Sequence, residues 1–263
     1  MTKKLLLLIT LFCFTPLFAH ECWVAAKKFV LQKGETAELS LHVGENFEPE
    51  IWKGKIETLH YFNGKTKENI LNLLTDTATR TFNLPLQNEG TQLVALHSKD
   101  NFIKLEAAKF NDYLKEDGLL DVLEFRKKNN QIDSFGTELY LRCNKILLQV
   151  GNKKTETYQQ IVGTRLEILP QQNPYNKPNN LQIKIIFDNK PLANSLVVLW
   201  EKSNGKTLKT NKISDKNGLV IFSPTYQGNC MISTVKMVEN DKETKIKLKA
   251  QWHSYWANLT FGM

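Results

Sequence analysis

The chemistry open to this chain lies in its nitrogen and sulphur donors. Histidine stands at His20, His42, His60, His97 and His253, and cysteine at Cys13, Cys22, Cys143 and Cys230. His20 is set apart by what precedes it. Lys3 and Lys4 form a basic head, Leu5 to Phe18 is a nearly unbroken apolar run, and Ala19 closes it directly before His20-Glu21. That order of charged, apolar and small residues is the order of an export leader. Its run of about 14 residues is shorter than the ~20 a spanning helix needs. Cleavage after Ala19 makes His20 the first residue, with a free α-amine whose pKa lies near ~7.7. An amine and an imidazole on one residue can chelate together, and such nitrogens suit copper, nickel, cobalt and zinc.

A terminal chelate needs further donors. Cys22, His60, His97 and His253 are the expected ones, and His42 and the Glu21 carboxylate are also available. No histidine has another at i+2 or i+4, so any metal site must be assembled by the fold rather than by a local motif. His253 lies between Trp252 and Trp256, an aromatic setting explained equally by packing. There is no Gly-x-Ser-x-Gly elbow, no His-Glu-x-x-His, no phosphate-cradling glycine loop and no dinucleotide fingerprint, so no catalytic residue and no enzyme activity is expected. Asp215-Lys216-Asn217-Gly218 is read as a hairpin turn, because the later acidic ligands of a calcium loop are missing. Asp112, Glu116 and Asp117 cluster near a helix end and are read as a solvated face. Asn258-Leu259-Thr260 matches a glycan acceptor but falls within a strand pattern.

The elements that must position these residues are mostly strands. Residues 36–43 alternate polar and apolar with the period of a half-buried strand. Residues 56–62 run into Asn63-Gly64, a hairpin dipeptide. Residues 91–97 alternate again. The period then changes: Ala108, Phe110, Tyr113 and Leu114 have helical spacing over 107–114, and Gly118 is a natural stop. Residues 119–128 suggest a second short helix, and 137–150 a long strand. The Pro- and Asn-rich stretch 171–180 suggests a linker. Beyond it, strands are expected over 181–187, 195–202, 206–212, 218–222, 229–237, 244–250 and 255–261. The expected fold is mainly β. Two β-sandwich-like domains are expected, a β-rich one over 20–170 with one or two short helices, and an immunoglobulin-like or transthyretin-like one over 181–263.

Composition sets the outer limits. With 263 residues, 41% hydrophobic and 24% charged, the chain is of ordinary globular make-up and long enough to bury a real core. Its net charge of +8 forms no dense block and gives no reason to expect nucleic acid. Cys13 would leave with residues 1–19. The other three cysteines permit one disulfide and one odd thiol, with Cys143–Cys230 allowed in an oxidising compartment, or three small buried side chains.

Several segments together carry a resemblance. They are His20-Glu21-Cys22-Trp23-Val24, the run from Ala107 to Leu119, Glu138 to Lys145, Gly163 to Pro170 leading to Asn173-Pro174-Tyr175, Lys190 to Ala193, Ser214 to Gly218, and Trp252 to Phe261. In number and order these resemble a bacterial periplasmic family associated with nickel and cobalt uptake, a domain of unknown function. Cys22 departs from the aromatic usual at its place, and His253 stands where no fixed histidine is expected. The resemblance implies a periplasmic or secreted, non-enzymatic binding protein. It would handle a transition-metal ion such as nickel, cobalt or copper as the soluble component beside a membrane transport partner. The alternative is a metal-free sandwich module binding a protein or glycan in the cell envelope.

Overall fold

A computed structural model describes residues 21–64 and 66–263. The expected leader and His20 therefore lie outside the described residues.

The chain is mainly β, as its alternating segments require, and is built in three layers. The middle layer is a ten-stranded sheet. Its main path runs Lys206–Ile213, Leu196–Ser203, Asn229–Glu239, Trp252–Gly262, Gly136–Val150, Gly90–Ser98, Ile56–Asn63 and Thr66–Asn69. Val30–Leu31 and Asn101–Leu105 add to the long Gly136–Val150 strand. One outer layer is a four-stranded sheet of Glu21–Ala26, Thr36–Gly44, Glu50–Ile51 and Thr81–Pro85. The other contains Leu166–Pro170, Leu181–Phe187, Lys190–Pro191 and Leu219–Phe222.

Side-chain alternation along the middle strands explains how two cores form. Ile146, Leu148 and Val150 pack with Val94 and Leu96 against Val24, Leu39 and Leu41 of the first outer sheet. Leu141, Cys143 and Leu147 point the other way, against Ile168, Ile183, Ile185 and Phe222 of the second. A strand covered on both faces loses the polar-out alternation of a surface strand. This accounts for the burial of Glu138, Arg142, Asn144 and Lys145 in Gly136–Val150.

The helices Ala107–Glu116 and Leu120–Lys128 form a short hairpin on the first face. Phe110, Leu114, Val122 and Leu123 pack against Val235, Met237, Trp252 and Trp256. Phe125 meets Trp252 edge-on and Tyr113 stacks on Trp256. Both tryptophans of the C-terminal motif are therefore packing residues in this core. Gly118 (φ +69°) turns the chain between the helices, and a Cβ there would fall 2.7 Å from the Leu196 Cβ.

Two segments differ from what their sequence pattern suggests. Residues 244–250 alternate like a strand, yet Lys242–Leu248 is a helix, started by Asp241, whose carboxylate accepts the Thr244 amide at 2.8 Å. The stretch 171–180 is packed rather than free: Tyr175 is buried and donates to the Leu147 carbonyl at 2.6 Å, and Asn173 is buried beside Thr91. The portions on either side of it also share the middle sheet, because Trp252–Gly262 pairs in parallel with Gly136–Val150. Of the two readings of the remaining cysteines, the buried one holds: Cys22, Cys143 and Cys230 are free and buried. Cys143 is level with Ala257 and Cys230 with Phe261, on strands two apart. Strand spacing and rise then separate them by roughly 16 Å, well beyond the ~7 Å limit for a disulfide.

Candidate functional site

The first described residue, Glu21, opens the Glu21–Ala26 strand at the edge of a cavity of about 260 Å³. Gly44, Glu45 and Asn46 line it from the first sheet, Glu116 and Asp117 from the helix end, and Leu196, Val198, Trp200 and Lys209 from the middle sheet. Four acidic residues and one lysine are thus among its lining residues.

Beside Glu21, the middle sheet carries buried polar side chains. Asn258 Nδ2 donates to Glu21 Oε2 at 3.0 Å, and Asn144 Nδ2 donates to Cys22 Sγ at 3.2 Å. Asn144 and Asn258 are side by side in the parallel register. The Arg142 guanidinium lies over the Trp256 ring at 4.6 Å and the Tyr140 ring at 5.4 Å. Among the described residues, Asn258 Oδ1, Asn144 Oδ1 and Arg142 Nε and Nη1 are buried with no hydrogen-bond partner. A group of orphaned buried polar atoms marks a place where water or a ligand completes the network.

Electrostatics give the pocket its character. Burial pushes the Glu21 carboxyl above its ordinary range, against the lowering effects of Ser233, Asn258 and Arg142. Burial, then the nearby charges of Glu21 and Glu116, push Asp117 well up. Asp117 is also the C-cap of the Ala107–Glu116 helix, whose end carries partial negative charge. Burial raises the Cys22 thiol to about 11, so it is a thiol and not a thiolate at neutral pH.

The other expected metal donors gather elsewhere. His60 pairs with Ala95 and His97 with Thr58. Ala95 belongs to the core on the second face, as do Tyr255 and Ala257, the neighbours of His253 by alternation. His60, His97 and His253 are therefore on the opposite face of the middle sheet from Glu21. His97 and His253 do line one cleft of about 470 Å³, with Glu57, Lys99, Asp100, Arg165 and Tyr255. There His97 Nδ1 meets Glu57 at 3.2 Å. His253 is held on both sides, by Asp100 at Nε2 (3.1 Å) and by the Tyr255 hydroxyl at Nδ1 (3.2 Å). His42 is bound to Ser40 at 2.8 Å and lies against Trp23. Among the described residues, no group of three or more His, Cys, Asp or Glu is disposed to hold a metal ion. Of the sequence-derived metal candidates among the described residues, Cys22 lies nearest the Glu21 site, held by Asn144 beside it.

Asp117 is the residue that the sequence reading passed over, as part of a solvated face. Its neighbours Asp112 and Glu116 are exposed, but Asp117 is turned into the pocket. The available signal was its place directly before Gly118, at the helix end where an acid is least favoured.

The comparisons with known proteins bear on the whole chain. The family described as "Domain of unknown function (DUF4198)" matches residues 17–237. The chain belongs to this family. For this DUF4198 member no curated protein matches. Among solved structures it is similar to the "D0-D1 domain of Intimin", at 12% identity over 92% of this chain and 98% of that one, with a TM-score of 0.21. A "Cytokine receptor complex" is similar at 10% identity over 91% and 95%, with a TM-score of 0.21. Chicken CNTN1 FN1-FN3 domains are similar at 6% identity over 90% and 66%, with a TM-score of 0.20. Overlap of this extent carries no argument about function. Among the described residues, no helix is long and apolar enough to cross a membrane.

Proposed function

We propose that this chain is an exported, non-enzymatic binding protein of the cell envelope that takes a transition-metal ion, nickel, cobalt or copper, at its processed amino terminus, and hands it to a membrane transport partner. One observation carries this reading: Glu21, the residue joined to His20, is part of the wall of a pocket lined by four carboxylates. In a chain cleaved after Ala19, the amine and imidazole of His20 supply the nitrogen donors that late divalent metals prefer. Glu21 and Asp117 supply oxygen and negative charge. The orphaned Asn258 Oδ1 is a further neutral oxygen close to Glu21. A ligating carboxylate must be deprotonated, so the burial that raises these carboxyls works against metal uptake as pH falls.

The test is isothermal titration of NiCl2, CoCl2 and CuCl2 into protein beginning at His20 and into protein carrying an extra Met before it. Saturable binding by the first, weakened at least tenfold in the second and in Glu21→Gln, is the expected result. Equal heats from all three proteins would remove the terminal chelate. Absence of any metal, together with a co-purifying envelope protein or glycan, would favour the interaction-module reading.

A further inference from the structure

The main path of the middle sheet ends in two strands that are not alike. Thr66–Asn69 closes one end with four residues, Lys67 and Glu68 adjacent among them. Lys206–Ile213 closes the other with eight. It pairs with Leu196–Ser203 in unbroken antiparallel register, from Leu196↔Ile213 to Ser203↔Lys206. Asn204 and Gly205 join the two strands, both at the positive φ that a two-residue hairpin needs. Among the described residues, no strand pairs with the outer side of Lys206–Ile213. An edge of this kind leaves a row of backbone N–H and C=O groups to water.

The side chains decide what can pair there. Lys206, Leu208, Thr210 and Lys212 alternate onto one face, the one on which Leu199 and Val197, opposite Thr210 and Lys212, join the second core. Leu208 is 59% exposed, and the strand contains neither an acid nor a proline. Among the described residues, neither Lys206 nor Lys212 has an ion-pair partner. Lys209 belongs to the other face, over the Trp200 ring. A second copy of this chain, paired edge to edge, would set these lysines against their own counterparts. Like charges opposed across a ladder are destabilising, and lysine on an edge is a common guard against self-pairing. The same charges favour an added strand of opposite sign. Its complementary face has acids six residues apart, matching Lys206 and Lys212, with an apolar side chain between them for Leu208.

We propose that the outer edge of Lys206–Ile213 is a docking surface for an extended acidic segment of a partner protein, which adds to the middle sheet as a further strand. Backbone hydrogen bonds supply the affinity, and Lys206, Leu208 and Lys212 select the side chains. This does not rest on the terminal metal site and stands whether or not an ion binds there.

The experiment is an amide NMR titration of the 20–263 chain with the capped peptide Glu-Thr-Val-Thr-Val-Thr-Glu. Saturable shifts in Lys206–Ile213 are expected, with slowed hydrogen exchange at alternate amides of that strand. The double variant Lys206→Glu/Lys212→Glu changes two exposed side chains and should keep the wild-type spectrum elsewhere. It should weaken peptide binding about tenfold, the worth of two surface ion pairs. A peptide with the same acids and a central proline should not bind, because it cannot complete the ladder. Equal binding of the proline peptide would reduce the contact to charge attraction and overturn the proposal. So would binding unchanged in the double variant, or no saturable shift up to about 1 mM peptide. Protection of the same amides that grows with protein concentration alone would make a second copy the occupant and overturn it as well.

Discussion

At the scale of single residues, the most consequential group away from the pocket is Glu138. It lies 2% exposed between the helical hairpin and the middle sheet, and its Oε1 accepts hydrogen bonds from Tyr113 and Ser254. Ser254 in turn accepts from Trp256 Nε1 at 2.9 Å, while Glu138 Oε2 has no partner among the described residues. Burial raises this carboxyl from 4.5 to about 7. The folded chain therefore keeps a proton that the unfolded chain has already released. The stability gained is complete below about pH 4.5 and is lost as pH rises through about 7, a swing on the order of 3 kcal/mol. Glu138→Gln removes the titration and keeps the shape. Urea midpoints measured from pH 5 to pH 8.5 should fall for wild type and stay flatter for the variant. Parallel curves would show that Glu138 does not titrate in this window. Little of this was legible beforehand. Glu138 lies in an alternating strand, and the helical hairpin that directly precedes that strand folds back over it and makes its position an interior one.

At the scale of elements, the second outer sheet is joined to the middle one by a buried ion pair. Lys145 Nζ and Glu167 Oε2 are 2.6 Å apart, with side chains 5% and 1% exposed. Glu167 also accepts the backbone amides of Val162, Gly163 and Thr164, so one carboxylate organises the turn that starts Leu166–Pro170. Burial lowers the Lys145 pKa, and the Glu167 charge opposes that shift. Losing one member of such a pair costs about 3–5 kcal/mol, because the other charge remains buried. Glu167→Ala should cost more than Lys145→Met, since it strands three amides as well as a cation. Chemical denaturation of both variants decides the order, and the reverse order would mean that the amides find water. Elements themselves were the best-read level of the sequence. Thr36–Gly44, Ile56–Asn63, Ala107–Glu116 and Gly136–Val150 all match their periodicity to within a residue or two. The exception, Lys242–Leu248, shows the limit of pattern. Its period-two alternation needs a neighbouring strand to become a sheet, and Asp241 caps a helix instead. Ile246 and Leu248 are left exposed as a result.

At the scale of the whole molecule, the Pro- and Asn-rich stretch 171–180 looks in sequence like a place where two domains part. Composition is local, and the contact that outweighs it is distant. Trp252–Gly262 lies alongside Gly136–Val150 from Glu138↔Trp252 to Ile146↔Thr260. The C-terminal strand is thus the bridge between the Asn229–Glu239 side of the sheet and the Gly90–Ser98 side. Leu166–Pro170, from before the stretch, pairs with Leu181–Phe187 from after it. A fragment covering 20–170 would lose the partner of its longest strand and expose an apolar edge. One covering 181–263 would leave Leu181–Phe187 without Leu166–Pro170. The candidate site has the same dependence, since Glu21, Asp117 and Asn258 come from the beginning, middle and end of the chain. Thermal unfolding should therefore be a single transition, with calorimetric and van't Hoff enthalpies equal, and neither fragment should give dispersed amide spectra alone. Two resolved transitions, or one fragment folded by itself, would show that the shared sheet is a docking surface between independent domains. The Glu21 pocket would then be an interface that opens without unfolding.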